Sequence, residues 1–139
     1  MKHVLIAEDD PDIADVLAQV IGERTCLATH VVANGALVPD AIAASRPDLL
    51  ILDVALPGLS GLDVFDLVRS DPHYQGIPVL FLTGTPEKAA AAFSPTGEQQ
   101  VMAKPFDLDE LVAMVDRMID GEKPEPVSVT ALAGAIAAA

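Results

Sequence analysis

Basic residues are scarce in this chain. Eight Lys and Arg stand against 21 Asp and Glu, a formal net charge of −13 over 139 residues. No basic run interrupts the acidity, so binding to nucleic acid or to an anionic membrane surface, both polyanions, is not expected. Most of the acids are expected on a solvated surface. Cysteine is nearly absent as well. Cys26 stands alone, which rules out an internal disulfide and fits a reducing compartment. Its expected role is that of a small core hydrophobe. Long apolar runs are also missing. Nothing approaches the ~20 apolar residues of a spanning helix, and the apolar run in MKHVLIAEDD is too short for a signal peptide. These absences lead to the expectation of a cytoplasmic protein.

What is present points to one domain with a real core. Hydrophobic residues make up 51% of the chain and charged residues 21%, a globular balance. Short apolar runs, read as strands at 3–7, 26–33, 48–54, 78–83 and 100–103, alternate with helical patterns. Asp10 is placed to cap the first helix, with Pro11 in its first turn and Ile13, Val16, Leu17 and Val20 at helical spacing. Asn34-Gly35 turns the chain, and the second helix begins near Pro39, since proline does not fit a regular helix interior. LDVFDLVRS (62–70) is amphipathic, and Thr85 precedes Pro86 as a helix cap. Asp107 and Glu110 resemble a capping box, Phe106 and Leu111 a hydrophobic staple. Leu108, Leu111, Val112, Val115, Met118 and Ile119 then form one apolar face, which Gly121 ends. Alternation of this kind predicts a doubly wound, five-stranded parallel sheet flanked by five helices. Ligands bind such sheets at the carboxyl ends of the strands.

The stretch LLILDVALPGLSG (49–61) is where chemistry enters, because a buried strand there ends in a carboxylate, Asp53. Glu8, Asp9 and Asp10 follow the first strand, Thr83 ends the fourth, and Lys104-Pro105 follows the fifth. In a parallel sheet all of these gather at one edge. Carboxylates held together raise a pKa or recruit a cation. Oxygen-only ligands suit a hard ion that keeps its waters, namely Mg²⁺. A hydroxyl and an ammonium opposite them suit a phosphoryl group. Asp10 reads better as a helix cap than as a ligand, Pro57 and Gly61 as shapers of the loop after Asp53, and His3, His30 and His73 lack metal spacing.

In the motifs VLIAEDDP (4–11), LDVALPGLSG (52–61), LTG (82–84) and KPF (104–106), the chain resembles a response-regulator receiver domain over about residues 2–120. The resemblance implies that Asp53 is phosphorylated, that Glu8 and Asp9 hold Mg²⁺ together with Asp53 and the backbone carbonyl of Ala55, and that Thr83 and Lys104 bind the phosphoryl oxygens. It implies a cis Lys104–Pro105 bond. It also implies a histidine kinase or histidine phosphotransfer protein as donor, a downstream protein as target, and in-line attack by Asp53 on the phosphorus of a phosphohistidine. The chain would catalyse only its own phosphorylation and dephosphorylation, and is not expected to be an enzyme in any wider sense.

Two features depart from that pattern. Val101 stands three residues before Lys104, where the family usually has Tyr or Phe, so the usual inward-turning aromatic is missing. Ala55 and Thr85, two residues beyond Asp53 and Thr83, offer no carboxylate or amide to position water, so dephosphorylation is not expected to be fast. SPTG (94–97) reads as the end of a short fourth helix and a longer loop. Residues 1–120 are read as the receiver domain and 121–139 as a linker, GEKPEP, and a short apolar tail without an output domain. Rival classes are weaker. A haloacid-dehalogenase-like phosphatase wants a second Asp where Ala55 stands. A flavodoxin-like carrier would not place three acids in its phosphate loop, and there is no Trp to stack on flavin. A phosphorylation-independent interaction module and a phosphate sink remain as alternatives.

Overall fold

The computed structural model describes residues 1–92 and 99–121. Along the chain run β1 (His3–Ala7), α1 (Pro11–Arg24), β2 (Ala28–Val32), a 3-10 turn (Gly35–Leu37), α2 (Val38–Ala44), β3 (Leu49–Asp53), α3 (Gly61–Ser70), β4 (Val79–Thr83), α4 (Pro86–Ala92), β5 (Gln99–Ala103) and α5 (Leu108–Ile119). The strands form one sheet in the order β2-β1-β3-β4-β5, every pair parallel. This is the expected doubly wound architecture.

The continuous apolar runs of β1, β3 and β4 follow from burial on both faces, since successive strand side chains point to opposite sides. On one face Leu5, Leu50, Leu52 and Phe81 pack with Val38 and Ile42 of α2 and Val64 and Val68 of α3. On the other, Val4, Ile6, Ile51 and Leu80 pack with Leu17 and Ile21 of α1 and Leu111 and Val115 of α5. Phe65 and Phe81 meet edge to face at 5.4 Å between centroids.

The helix ends obey local chemistry. Asp10 Oδ1 accepts from the amides of Asp12 (2.9 Å) and Ile13 (3.4 Å). Asp107 accepts from the Glu110 amide at 3.0 Å, and Phe106 and Leu111 share one core cluster, as a staple requires. Gly121 has φ +71, the left-handed conformation that ends a helix. Pro39 lies in the first turn of α2, behind the 3-10 turn that Asn34 opens by accepting from the Ala36 amide at 2.8 Å.

Several expectations are corrected. Cys26 is exposed, not a core residue. It lies in the connection before β2, which starts only at Ala28 at the edge of the sheet. The buried face of α1 is Ala14, Leu17 and Ile21, while Val16 is 42% exposed. Leu17 and Ile13 of the expected set do pack in the core cluster, whereas Val16, about 100° round the helix from Leu17, faces away from it. Leu108, at the start of α5, is also exposed. The expectations for 94–97 and for the linker and tail beyond Gly121 lie outside the described residues.

Candidate functional site

β3 is buried along its whole length, so Asp53 arrives at the sheet edge on a rigid backbone. It is 6% exposed, and Glu8, one residue beyond β1, is 2% exposed. The ladder fixes Glu8 as well, since its amide donates to the Val32 carbonyl at 3.1 Å. Lys104, from the turn after β5, joins the two acids. Its ammonium donates to Glu8 Oε2 at 2.9 Å and to Asp53 Oδ2 at 3.0 Å. Asp53 Oδ1 accepts from the Ala55 amide at 3.0 Å, and Glu8 Oε1 from the Asp10 amide at 3.2 Å. The Lys104–Pro105 peptide is cis, as the resemblance implies.

Asp9 is exposed beside this pair. Carboxylate oxygens of Glu8, Asp9 and Asp53 all lie within 4.8 Å of one another. With all three acids ionised, the cluster exceeds the charge of Lys104 by two, which a divalent cation balances. The donors are hard oxygens, the kind Mg²⁺ prefers. These residues therefore fit the ion that the sequence implies. For Ala55, the described contact is made by its amide to Asp53, and its side chain is exposed.

The electrostatics are asymmetric. Burial lifts the Glu8 carboxyl above its ordinary pKa, and the Asp53 charge adds to that, against the opposing hydrogen bond from Lys104. For Lys104, burial works against the charge, but the hydrogen bonds to Glu8 and then Asp53 carry its pKa above the ordinary value.

Thr83 is 3% exposed at the end of β4. Its carbonyl accepts from the Lys104 amide at 2.8 Å, which locks the two strand ends together. Its hydroxyl oxygen accepts from the Thr85 amide at 2.9 Å and lies 3.2 Å from the Thr85 hydroxyl. Glu8, Asp53 and Lys104 are thus in direct contact and Asp9 joins their cluster, while the hydrogen bonds of the Thr83 hydroxyl run to Thr85.

Sequence reasoning missed three things here. One is the direct Glu8–Lys104 pair, which needs β1 and β5 to converge. Another is the hydroxyl pair of Thr83 and Thr85. The third is why Gly61 is glycine. A Cβ there would lie 2.3 Å from the Asp53 carbonyl oxygen, so Gly61 is a close-approach residue at the end of β3, and it is the first residue of α3. Gly58, at φ +78, supplies the left-handed turn in the same loop.

A flavodoxin-like parallel sheet with a lysine-bridged acidic cluster at its carboxyl edge defines the class. The chain belongs to the response regulator receiver domain family, whose match runs over residues 4–116. It is 32% identical over 133 residues to the DNA-binding response regulator MtrA of Mycolicibacterium smegmatis, covering 94% of this chain and 56% of that protein. It is 32% identical over 131 residues to the DNA-binding transcriptional regulator NtrC of Escherichia coli, covering 91% of this chain and 27% of that protein. The chain therefore spans about half the length of the first and about a quarter of the second. Among solved structures it is similar to the signal receiver domain of a histidine kinase from Syntrophus aciditrophicus, with a TM-score of 0.77 and 25% identity, over 93% of this chain and 98% of that one. It is likewise similar to the response regulator TrrA from Thermotoga maritima, solved in complex with Mg²⁺–BeF, with a TM-score of 0.72 and 25% identity, over 85% and 99% of the two chains.

Proposed function

We propose that the chain is a phosphoacceptor that takes a phosphoryl group on Asp53 from a histidine kinase or histidine phosphotransfer protein and signals through protein contacts. One observation carries this reading: the Asp53 carboxylate stands at the end of a buried strand, held by the Ala55 amide on one oxygen and by Lys104 on the other. A nucleophile held this way loses little orientational freedom at the moment of attack. One carboxylate oxygen of Asp53 forms the new bond to phosphorus while the bond from phosphorus to the donor imidazole breaks. The imidazole leaves with the electron pair and returns to neutrality. Lys104 moves from the carboxylate to an oxygen of the arriving group, keeping its charge near the site of growing negative charge. Asp9, Glu8 and Asp53 would hold Mg²⁺, with the carbonyl of Ala55 as the further ligand the resemblance implies. When bound, the ion neutralises charge on the acceptor and phosphoryl oxygens.

The TrrA complex with Mg²⁺–BeF supports the same chemistry in a relative. The chain's own acidity favours a protein target over nucleic acid, whereas the DNA-binding names belong to longer relatives. The test is intact mass after incubation with acetyl phosphate and Mg²⁺. One added phosphoryl group is expected, absent without metal and absent in Asp53→Ala. No addition to the folded wild type overturns the reading.

A second reading rests on Val101. It is half-buried and packs against the α2–α3 side of the core, at the position where the family usually has an aromatic. An interaction module that works without phosphorylation fits a fixed aliphatic residue there. It is favoured if partner binding is unchanged by Asp53→Ala.

A further inference from the structure

We propose that Thr85 is a positioning residue that holds the Thr83 hydroxyl in reserve, so that phosphoryl acceptance must first break a hydroxyl pair. The proposal rests on the reading of Asp53 as the acceptor. Its own basis is the geometry after β4. A threonine hydroxyl has one proton and two lone pairs. One lone pair of Thr83 is taken by the Thr85 amide at 2.9 Å. The Thr85 hydroxyl lies 3.2 Å away, a contact in which either oxygen can donate, and in the latched arrangement proposed here it accepts the one proton that Thr83 has to give. A phosphoryl oxygen on Asp53 is purely an acceptor, so Thr83 can engage it only as a donor. While that proton points at Thr85 Oγ1, the site lacks a donor it needs.

The surroundings sharpen the competition. Thr83 is buried, so water does not readily replace a lost partner, whereas Thr85 is exposed and loses little when its hydroxyl is released to solvent. The Thr83 carbonyl is tied to the Lys104 amide, so the backbone stays fixed and only the side chain has to turn. Rotation about χ1 is the movable element, and Thr85 biases it.

The test uses the full chain as wild type, Thr85→Val, Thr85→Ser, Thr83→Ala and the double variant Thr83→Ala/Thr85→Val. Phosphorylation by acetyl phosphate at saturating Mg²⁺ is followed by intact mass, and the three-bond couplings of Thr83 report its χ1. Valine keeps the shape and removes the competing acceptor, so Thr85→Val should take up the phosphoryl group roughly two- to tenfold faster, the span of one ordinary hydrogen bond. Thr85→Ser, which keeps the hydroxyl, should retain the slow rate. The double variant should be no faster than Thr83→Ala. Thr83 should show one rotamer in the wild type and a measurable share of a second in Thr85→Val, where only the backbone amide of residue 85 still holds its oxygen, a change that a merely structural role for Thr85 would not produce. An unaltered rate and unaltered couplings in Thr85→Val, or the same acceleration without Thr83, overturn the latch alone. A folded wild type that takes no phosphoryl group overturns the acceptor reading and the latch with it.

Discussion

β3 and β5 have the same length and run in the same direction, yet they are built differently. All five residues of β3 are buried, whereas four of the five in β5 are half-buried and Ala103 is exposed. β3 lies in the middle of the sheet with a strand on each side, and β5 lies at the edge, with β4 as its only neighbour among the described residues. Each supplies one partner of the same ion pair, Asp53 from β3 and Lys104 just beyond β5. The proposed acceptor therefore sits on a strand that is buried throughout and flanked on both sides, and its cation just beyond an edge strand that is only half covered. On that reading, a phosphoryl group arriving between them would displace the lysine without disturbing the aspartate. On the same reading, movement after the reaction is expected at β5, where burial is incomplete.

That contrast can be broken most strongly at the centre. Ile51→Ala removes a side chain packed between Ile6 and Leu80 and should cost about 2–5 kcal/mol. Val101→Ala, at the edge, should cost only about 1 kcal/mol, because its methyl groups are half covered. Urea denaturation of both variants measures the difference, and equal costs would mean that the edge strand is as tightly held as the centre.

A smaller effect is expected just beneath the proposed acceptor. Gly61→Ala drives a methyl group into the Asp53 carbonyl oxygen and should cost about 1–3 kcal/mol by overpacking. It should slow phosphorylation at the same time, because the displaced atom belongs to Asp53 itself. A destabilised variant with an unaltered rate would show that the shift is absorbed by α3.

The smallest effect is the pH dependence at Glu8. Its pKa is raised by burial and by the Asp53 charge, so the folded state binds its proton more tightly than the unfolded chain. The associated stability is complete below the ordinary carboxylate value and is lost as pH rises through the raised folded value. Glu8→Gln carries no such loss. In metal-free buffer its stability relative to wild type should therefore climb between about pH 4 and the top of that window. A flat difference in chemical denaturation across that range would mean that Lys104 fully offsets the burial.

Most of the fold was legible because its signals are local. Pro11 and Pro39 near helix starts, Asp10 and Asp107 as caps, and the unbroken apolar runs of β1, β3 and β4 all stand where the sequence puts them. The failures come from the edges. Cys26 and Val16 are apolar by type, but among the described residues the strand beginning at Ala28 has no neighbour on its far side, and the outer face of α1 around Val16 is exposed. Hydrophobic character says that a residue can be buried, and only the packing says whether anything covers it.

The site divides in the same way. The sequence by itself determined which chemical groups are available and that they stand at strand ends: Glu8, Asp9, Asp53, Thr83 and Lys104, each placed by where its apolar run stops. Only the tertiary structure decided how they pair. Lys104 and Glu8 are 96 residues apart and meet because β1 and β5 open onto one edge. The Thr83 hydroxyl answers to Thr85 because the backbone turns directly after β4. Strand ends are fixed by short-range pattern, but hydrogen-bond partners at a few ångströms depend on register, strand order and turn geometry, which belong to the whole sheet.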